Sequence, residues 1–369
     1  MKSDTEYMQM AMELAAKGVG CVEPNPAVGC VIVKDGSVIG QGFHERFGEA
    51  HAEVNALADC GRNGHNPAGA SLFVTLEPCS HTGKTPPCTQ AVIDAKIANV
   101  AIASKDPTKL AGGGIETLRQ AGIAVEVGLC QEEAEQLNAP FYKHSRTGMP
   151  WVVVKWAQSK DSYLARKNTG DEGNWISNKQ SRADVHRLRK RMGAILTGID
   201  TVIADNPQLT VRIEDETIER PPLRVVLDSG LRMPLDCNLI TVPDAPTAVV
   251  TTAQTAQTEF AQVEKLQSAG AEVLAVPIRE DHGDLKKTLS LLGARGIQQV
   301  LIEAGPTLIT SFLNQNLVDE VQIYIAAITL GNNGTAPISE PMSTLNDCLE
   351  LKNVRIDTFG TDIRVCGLL

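Results

Sequence analysis

Residues 49–56 read EAHAEVNA and residues 75–88 read TLEPCSHTGKTPPC, and the first part of the chain is organised around these two strings. His51, Cys79 and Cys88 offer one nitrogen and two sulfurs, a donor set suited to Zn2+. Three protein ligands leave the fourth tetrahedral position open, which marks a catalytic zinc; a structural zinc normally closes with four. A water in that position is acidified enough to attack at neutral pH. Glu53 lies two residues from His51 at a helix start, so both side chains can point into one pocket from the first turn. It is not a ligand in this reading. It takes a proton from the water and hands it to the leaving group, the role of a general acid–base. Cys79 and Cys88 flank the start of the next helix, where the dipole favours thiolates.

Working outward, Ser3-Asp4 with Glu6 announces a capped helix running to Gly18. Val28–Val33 reads as a buried strand turned at Asp35-Gly36 into a hairpin partner, Ser37–Gly40. Helix His51–Cys60, strand Ser71–Leu76, helix Thr89–Ala95, strand Val100–Ala103, helix Gly114–Gln120 and strand Ile123–Val127 follow. This alternation predicts an α/β layered domain. The polar stretch KHSRTGMP at 143–150 marks a boundary, giving domains 1–146 and 147–369. A second alternation begins at strand Trp151–Lys155 and helix Asn178–Met192, then strands Ala194–Gly198, Leu223–Asp228 and Thr247–Thr251. Helix Glu259–Ala269, strand Glu272–Val276, helix Leu285–Arg295, strand Gln299–Glu303, helix Thr307–Gln315 and strand Glu320–Ala327 complete it.

The 369 residues suffice for two ordinary domains. With 43% hydrophobic and 21% charged residues the chain reads as soluble and globular, and no apolar run approaches a membrane span. A polar N-terminus, MKSDTEYMQM, makes the cytoplasm the expected location. Nine irregularly spaced cysteines fit a reducing compartment, with metal binding as the exception. A net charge of −10 argues against a grip on nucleic-acid backbones, though local arginines can hold a phosphorylated small molecule. His44, His65 and His144 have no partner spacing and read as surface residues.

In the second half, Glu303-Ala304-Gly305-Pro306-Thr307-Leu308 follows the apolar run Val300–Ile302 and opens a helix. Such a turn lets backbone N–H groups approach a phosphate, although a plain tight connection has the same look. The run Ala111–Gly114 lacks the strand and the spacing of a dinucleotide fingerprint and reads as a loop.

An H-x-E followed by P-C and a second Cys is the zinc deaminase signature. The strings PNPAVGCVIVKDGSVIGQGFH (24–44), GEAHAEVNAL (48–57) and TLEPCSHTGKTPPC are similar to the deaminase half of the bifunctional riboflavin-biosynthesis deaminase–reductase family. LRKRMGAILTGIDTVIADNPQLTVR (188–212), PPLRVVLDSG (221–230) and EAGPTL (303–308) resemble its reductase half in the same order. The resemblance implies a cytidine-deaminase-like three-layer α/β/α domain followed by a dihydrofolate-reductase-like α/β domain. It implies zinc-dependent deamination of a diamino-ribosylaminopyrimidinone 5′-phosphate, then NADPH-dependent reduction of the ribosyl group to ribityl. It further implies a homo-oligomer, dimer or tetramer, with neither nucleic acid nor membrane as partner.

Carried across by position, Asn25, Ser80, His81 and Thr85 would contact the base and sugar phosphate in the deaminase half. Ala157, Trp175, Thr201, Asp205, Ser229, Gly305, Pro306, Thr307 and Leu308 would line the NADPH site. Lys155, Gly173, Arg189, Leu209, Arg212 and Glu303 would meet the substrate of reduction, the arginines being suited to grip its phosphate. Taken singly, Trp175 reads as core, Asp205 as a cap before Asn206-Pro207, and Arg189 as a solvated helix face. The chain departs from the family at Gly20-Cys21-Val22, at the EAGP turn and at Gly173. It also departs at Ser159-Lys160-Asp161-Ser162-Tyr163, where the family reads close to S-L-D-G-R. A deaminase acting on tRNA adenosine is the competing enzyme reading, opposed by the acidic charge and the eight residues between Cys79 and Cys88. A chain in which only the first domain works stays open at this point.

Overall fold

A computed structural model of the chain describes residues 2–81, 86–108, 112–167, 175–279, 282–346 and 351–369. The chain forms two compact units, Met1–Gly148 and Met149–Leu369.

In the first unit α1 (Asp4–Ala16) starts at Ser3, whose hydroxyl accepts from the Glu6 N–H while the Glu6 carboxylate accepts from the Ser3 N–H. Strands β1 (Gly29–Lys34) and β2 (Ser37–Phe43) form an antiparallel hairpin. Its turn residues Asp35 and Gly36 both have left-handed φ, 50° and 77°, which suits the twist of a two-residue hairpin. Then come α2 (Ala52–Arg62), β3 (Ser71–Leu76), α3 (Cys88–Asp94), β4 (Asn99–Ser104), α4 (Gly114–Gln120) and β5 (Ala124–Val127). Helices α5 (Gln131–Leu137) and α6 (Ala139–Thr147) close the unit. The sheet order is β2-β1-β3-β4-β5, with β3, β4 and β5 parallel. One face carries Ile32, Leu72, Val74 and Ile102 against Ala56, Val92 and Leu118 of α2, α3 and α4. The other carries Val31 and Phe73 against Met8 and Ala11 of α1 and Ala134 of α5. The result is the three-layer sandwich the resemblance implied.

Gly42 is what lets α2 lie directly on β2. A Cβ there would fall 2.4 Å from the Ala56 nitrogen, closer than side-chain atoms ever come. Helix α2 therefore rests backbone to backbone on the strand, and its first turn is held at the carboxyl end of β3.

Helices α5 and α6 have no counterpart in the sequence reading. The KHSRT part of the polar stretch is the last turns of α6, ended by Gly148 at φ 68°. Phe141 and Tyr142 anchor that helix by burial, which outweighs its polar composition. Gly114 opens α4 with the bounds the sequence predicts, so it does not belong to the loop read at Ala111–Gly114.

The second unit begins with β6 (Trp151–Gln158), β7 (Tyr163–Arg166), α7 (Lys179–Lys190), β8 (Ala194–Gly198), α8 (Ile199–Asp205) and β9 (Leu223–Leu227). It continues with α9 (Asn238–Thr241), β10 (Thr247–Thr252), α10 (Ala253–Thr258), α11 (Phe260–Ser268) and β11 (Glu272–Val276). The short ladder β12 (Ile278–Arg279) and β13 (His282–Gly283), α12 (Leu285–Ala294), β14 (Gln299–Ile302), α13 (Pro306–Asn314) and β15 (Glu320–Ile325) follow. Last come β16 (Gly334–Pro337), α14 (Met342–Asn346), β17 (Lys352–Phe359) and β18 (Asp362–Leu368). The main sheet runs β11-β10-β9-β8-β14-β6-β15-β18-β17. It is parallel from β11 to β15, and the β17–β18 hairpin adds antiparallel strands at one edge.

Strands β8 and β14 are neighbours, yet the helices that leave them go to opposite faces. Ile199 and Val202 of α8 pack on one core cluster; Ile309 and Phe312 of α13 pack on the other. That divergence opens a crevice at the strand carboxyl ends, where α/β sheets bind ligands.

Candidate functional sites

The N-terminus of α2 brings His51 (its N-cap) and Glu53 to the end of β3, where Glu77-Pro78-Cys79 leaves the sheet. Cys88 opens α3 beside them. His51 Nδ1 lies 3.2 Å from Cys88 Sγ and 3.6 Å from Cys79 Sγ, and the three donor atoms all fall within 4.8 Å of one another. The Cys88 N–H points at Cys79 Sγ, 3.4 Å away, so the helix start itself favours a thiolate there. The two thiols compete for one proton. Cys79, which accepts from the Cys88 side chain and faces His51, is held well below the ordinary thiol range, while Cys88 is pushed above it. A divalent cation is the charge that would let both be thiolates, so the donor set fits zinc. Glu53 is 3% exposed and not among the donors. Burial raises its carboxyl, favouring a proton-carrying form.

These groups open on a cleft of about 270 Å³ that also exposes Asn25, His44, Glu77, His81 and Asp106. Asn25 and His81 thus line the same cleft as the three donors. The His81 Nδ1 is buried and has no hydrogen-bond partner among the described residues. Ser80 turns its hydroxyl to the Gly112 carbonyl, 2.9 Å away, and so ties down the loop before α4. Thr85 lies outside the described residues.

Besides the half-buried Asp106, two buried polar residues of this cleft escaped the sequence reading. His44 is not a surface residue: it is 2% exposed. Its Nε2 is 3.2 Å from Asn25 Nδ2, its Nδ1 is 3.1 Å from the Ala50 carbonyl, and its ring meets the His51 ring edge-on. It carries no ligand spacing, and its only sequence mark is that it closes the hairpin string ending GFH. Glu77, buried, accepts from the N–H groups of Gly113, Ile115 and Asp106. It thus caps α4 from outside the helix and fixes the Asp106 wall.

In the second unit, Glu303 at the end of β14 meets Arg189 of α7 through paired bonds of 2.6 and 2.9 Å. Lys155 of β6 stands 3.9 Å from the same carboxylate. All three are nearly buried, with side chains 11–16% exposed. Burial alone would raise the Glu303 carboxyl, but Arg189 and then Lys155 overcome it and hold it at about 2. Burial lowers the Lys155 ammonium. Arg189 is therefore not a solvated helix face. Its fork is engaged by Glu303, and its remaining nitrogen donates to the Thr210 carbonyl at 3.0 Å. No bidentate grip on a phosphate is left to it in this arrangement. Arg212 is exposed and is steadied by Gln208 and Thr210. Leu209 is buried at φ 49°.

At the crevice, Gly198 and Gly305 begin α8 and α13. A Cβ on Gly305 would stand 4.0 Å from Thr201 Oγ1, and one on Gly198 3.5 Å from Leu308 Cδ2. Gly305, Thr201 and Leu308 are thus brought together by the switch between β8 and β14. Ser229 follows β9, where its hydroxyl accepts from the Gly283 N–H. Ala157 is half-buried on β6 and Asp205 is exposed at the end of α8. Trp175 is not core; it is 58% exposed under the Arg182 guanidinium. Gly173 lies outside the described residues.

The departing turn at Ser159–Tyr163 is well formed. Ser162 holds φ 64° where the family has glycine, and Asp161 accepts from the N–H groups of Leu330 and Gly331. Lys160 points to solvent, which accommodates its charge.

Residues 1–104 match the cytidine and deoxycytidylate deaminase zinc-binding region, and residues 150–365 match the RibD C-terminal domain. The chain is 39% identical to the riboflavin biosynthesis protein RibD of Aquifex aeolicus, covering 98% of this chain and 97% of that one. It is equally identical to RibD of Escherichia coli, over 98% of both. Among solved structures it is similar to Acinetobacter baumannii RibD, with a TM-score of 0.81, 39% identity and coverage of 99% and 98%. It is also similar to the diaminohydroxyphosphoribosylaminopyrimidine deaminase / 5-amino-6-(5-phosphoribosylamino)uracil reductase of Thermotoga maritima. There the TM-score is 0.78 and the identity 32%, with coverage of 98% and 97%.

Proposed function

We propose, for a chain that belongs to the RibD family of bifunctional deaminase–reductases in riboflavin biosynthesis, the following division of labour among its residues. The first unit deaminates a diaminohydroxyphosphoribosylaminopyrimidine, and the second reduces 5-amino-6-(5-phosphoribosylamino)uracil with NADPH. The observation that carries the reading is the His51, Cys79 and Cys88 donor cluster sharing one cleft with a buried, non-ligating Glu53.

His51, Cys79 and Cys88 would hold the zinc, which when bound supplies a water acidic enough to attack at neutral pH. Glu53 takes the proton from that water and returns it to the amine that leaves as ammonia. The His44–Asn25 pair and His81 orient the ring in the cleft.

In the second unit Gly305–Leu308 and Thr201 fit the cofactor, because their bare glycine approach leaves room for a phosphate at two helix starts. NADPH, when bound, supplies the hydride. Ala157, Trp175, Asp205 and Ser229 complete its surroundings. Lys155 and Glu303 face the substrate from adjacent strands, with Lys155 near enough to manage a proton there. Leu209 and Arg212 receive the phosphorylated end; Gly173, outside the described residues, is assigned to the substrate by the family resemblance alone.

We also infer a cytoplasmic homo-oligomer. Exposed Val354 and Ile356 on the edge strand β17 support association through the second unit. Among the described residues no helix is long and apolar enough to cross a membrane.

Mass spectrometry of the diaminopyrimidine substrate with zinc-loaded protein, with and without NADPH, tests the whole reading. The expected result is the deaminated compound alone without NADPH and the ribityl compound with it. Deamination without reduction would remove the second activity. No deamination with zinc bound would overturn the substrate.

A further inference from the structure

We propose that Arg224 is a positioning residue for the reduction: with Arg189 it pins the two carbonyls that flank Leu209, fixing the turn that presents Leu209 and Arg212 to the phosphorylated substrate. This rests on the reading above, that residues 209–212 meet that substrate.

The segment 206–212 forms no helix or strand; Asn206 at φ 42° is an ordinary left-handed cap of α8, but Leu209 at φ 49° holds a left-handed backbone that its side chain disfavours. Such strain persists only where the surroundings over-determine it, and it concentrates at binding sites. Here alternate residues are held. Asn206 accepts two hydrogen bonds from Asn238, from its backbone N–H and its side-chain amide. The Gln208 carbonyl accepts from Arg224 at 3.3 Å, and the Thr210 carbonyl accepts from Arg189 at 3.0 Å. The Arg212 N–H donates to His186 Nδ1 at 3.1 Å. Leu209 sits between the two clamped carbonyls, and its own N–H and C=O make no hydrogen bond among the described residues. That leaves its peptide donor and acceptor available to a ligand or to water.

Arg224 itself is the odd feature. It lies on β9 and is 2% exposed, among the largest fully buried side chains. No ion pair to it is present among the described residues; besides Gln208 its fork donates only to the carbonyls of Val242 and Ala245. Its Nε is buried with no partner. Burying a guanidinium with no carboxylate in contact, only the Asp244 charge nearby, is unfavourable, and a methionine or leucine would fill the space without that cost. What only arginine offers is a rigid fork that reaches three separate carbonyls at once. The cation therefore ties the segment, through Gln208, to the turn at Val242–Ala245 rather than packing the core.

The test uses the full chain with 5-amino-6-(5-phosphoribosylamino)uracil and NADPH, comparing Arg224→Met, Arg224→Lys and Arg212→Ala. For Arg224→Met the KM for the uracil substrate should rise roughly ten- to a hundredfold, the loss expected when a charged donor no longer holds a binding group. The KM for NADPH and kcat should stay near wild type, and Arg224→Lys should recover part of the loss. An unchanged substrate KM in folded Arg224→Met overturns the proposal, as does a parallel rise in both KM values, which is general loosening. If Arg212→Ala raises the substrate KM and Arg224→Met does not, the positioning role alone falls. If Arg212→Ala leaves the substrate KM unchanged, the reading of the segment falls, and the proposal with it. Should Arg224→Met fail to fold, a wild-type substrate KM in Arg224→Lys overturns the proposal and a raised one supports it.

Discussion

The cleft of the first unit and the charged crevice of the second solve opposite electrostatic problems. In the cleft the buried groups are acids: two thiols and Glu53, all penalised by burial and short of positive charge. That imbalance is what a divalent cation relieves. In the crevice the buried carboxylate is already matched, since Glu303 stands between Arg189 and Lys155 and needs no metal. One site is incomplete until it binds an ion; the other has its carboxylate paired, with one cation to spare, before its ligands arrive. The difference teaches that removing one acid should have opposite consequences in the two places: in the cleft it abolishes chemistry and spares the fold, in the crevice it damages the fold as well.

Glu53→Gln is the sharpest test of that contrast. Deamination should fall by roughly 10²–10⁴, the usual worth of a positioned acid–base. Zinc content by metal analysis and reduction of the uracil substrate should be unchanged. A loss of zinc would instead make Glu53 a structural member of the cleft.

Glu303→Gln should behave differently. It leaves Arg189 and Lys155 as unpaired, nearly buried cations, and breaking such a pair costs about 3–5 kcal/mol. Denaturant unfolding of the second unit should show the loss along with the missing reduction, while deamination persists. A stable variant that has lost only reduction would erase the contrast between the sites.

A smaller effect concerns pH. Burial, then Arg189 and Arg212, lower the His186 imidazole from 6.5 to about 4, with Glu303 opposing. The folded state thus binds fewer protons than the unfolded one between those values, so stability is present above pH 6.5 and lost as the pH falls toward 4. His186→Gln should flatten that part of the pH dependence of the second unit's urea midpoint. An unaltered slope would assign the dependence to other groups.

The smallest effect is expected at the departing turn. Ser162→Gly should stabilise the second unit by at most about 1 kcal/mol, because a left-handed backbone is disfavoured for serine while glycine adds freedom to the unfolded chain. A rise in melting temperature with unchanged reduction would show that the departure costs stability and not function. A fall would mean that the serine side chain holds the turn.

The two sites also differ in how far they could be read in advance. The donors of the cleft sit within 51–88, on a helix start, a strand end and the next helix start, so spacing alone carried the chemistry. Two compact units and the alternation of strands and helices were equally plain, because hydrophobic period and turn residues are local properties. Sequence alone, through periodicity, the H-x-E string and the paired cysteines, determined the layered architecture and the zinc chemistry. The tertiary structure decided the rest: His44 buried against Asn25, Glu77 capping a distant helix, Arg189 spent on Glu303, and Arg224 clamping a strained turn. Each of those depends on a partner dozens of residues away or on burial, and a polar side chain's spacing in the chain says nothing about which distant group will satisfy it once water is excluded.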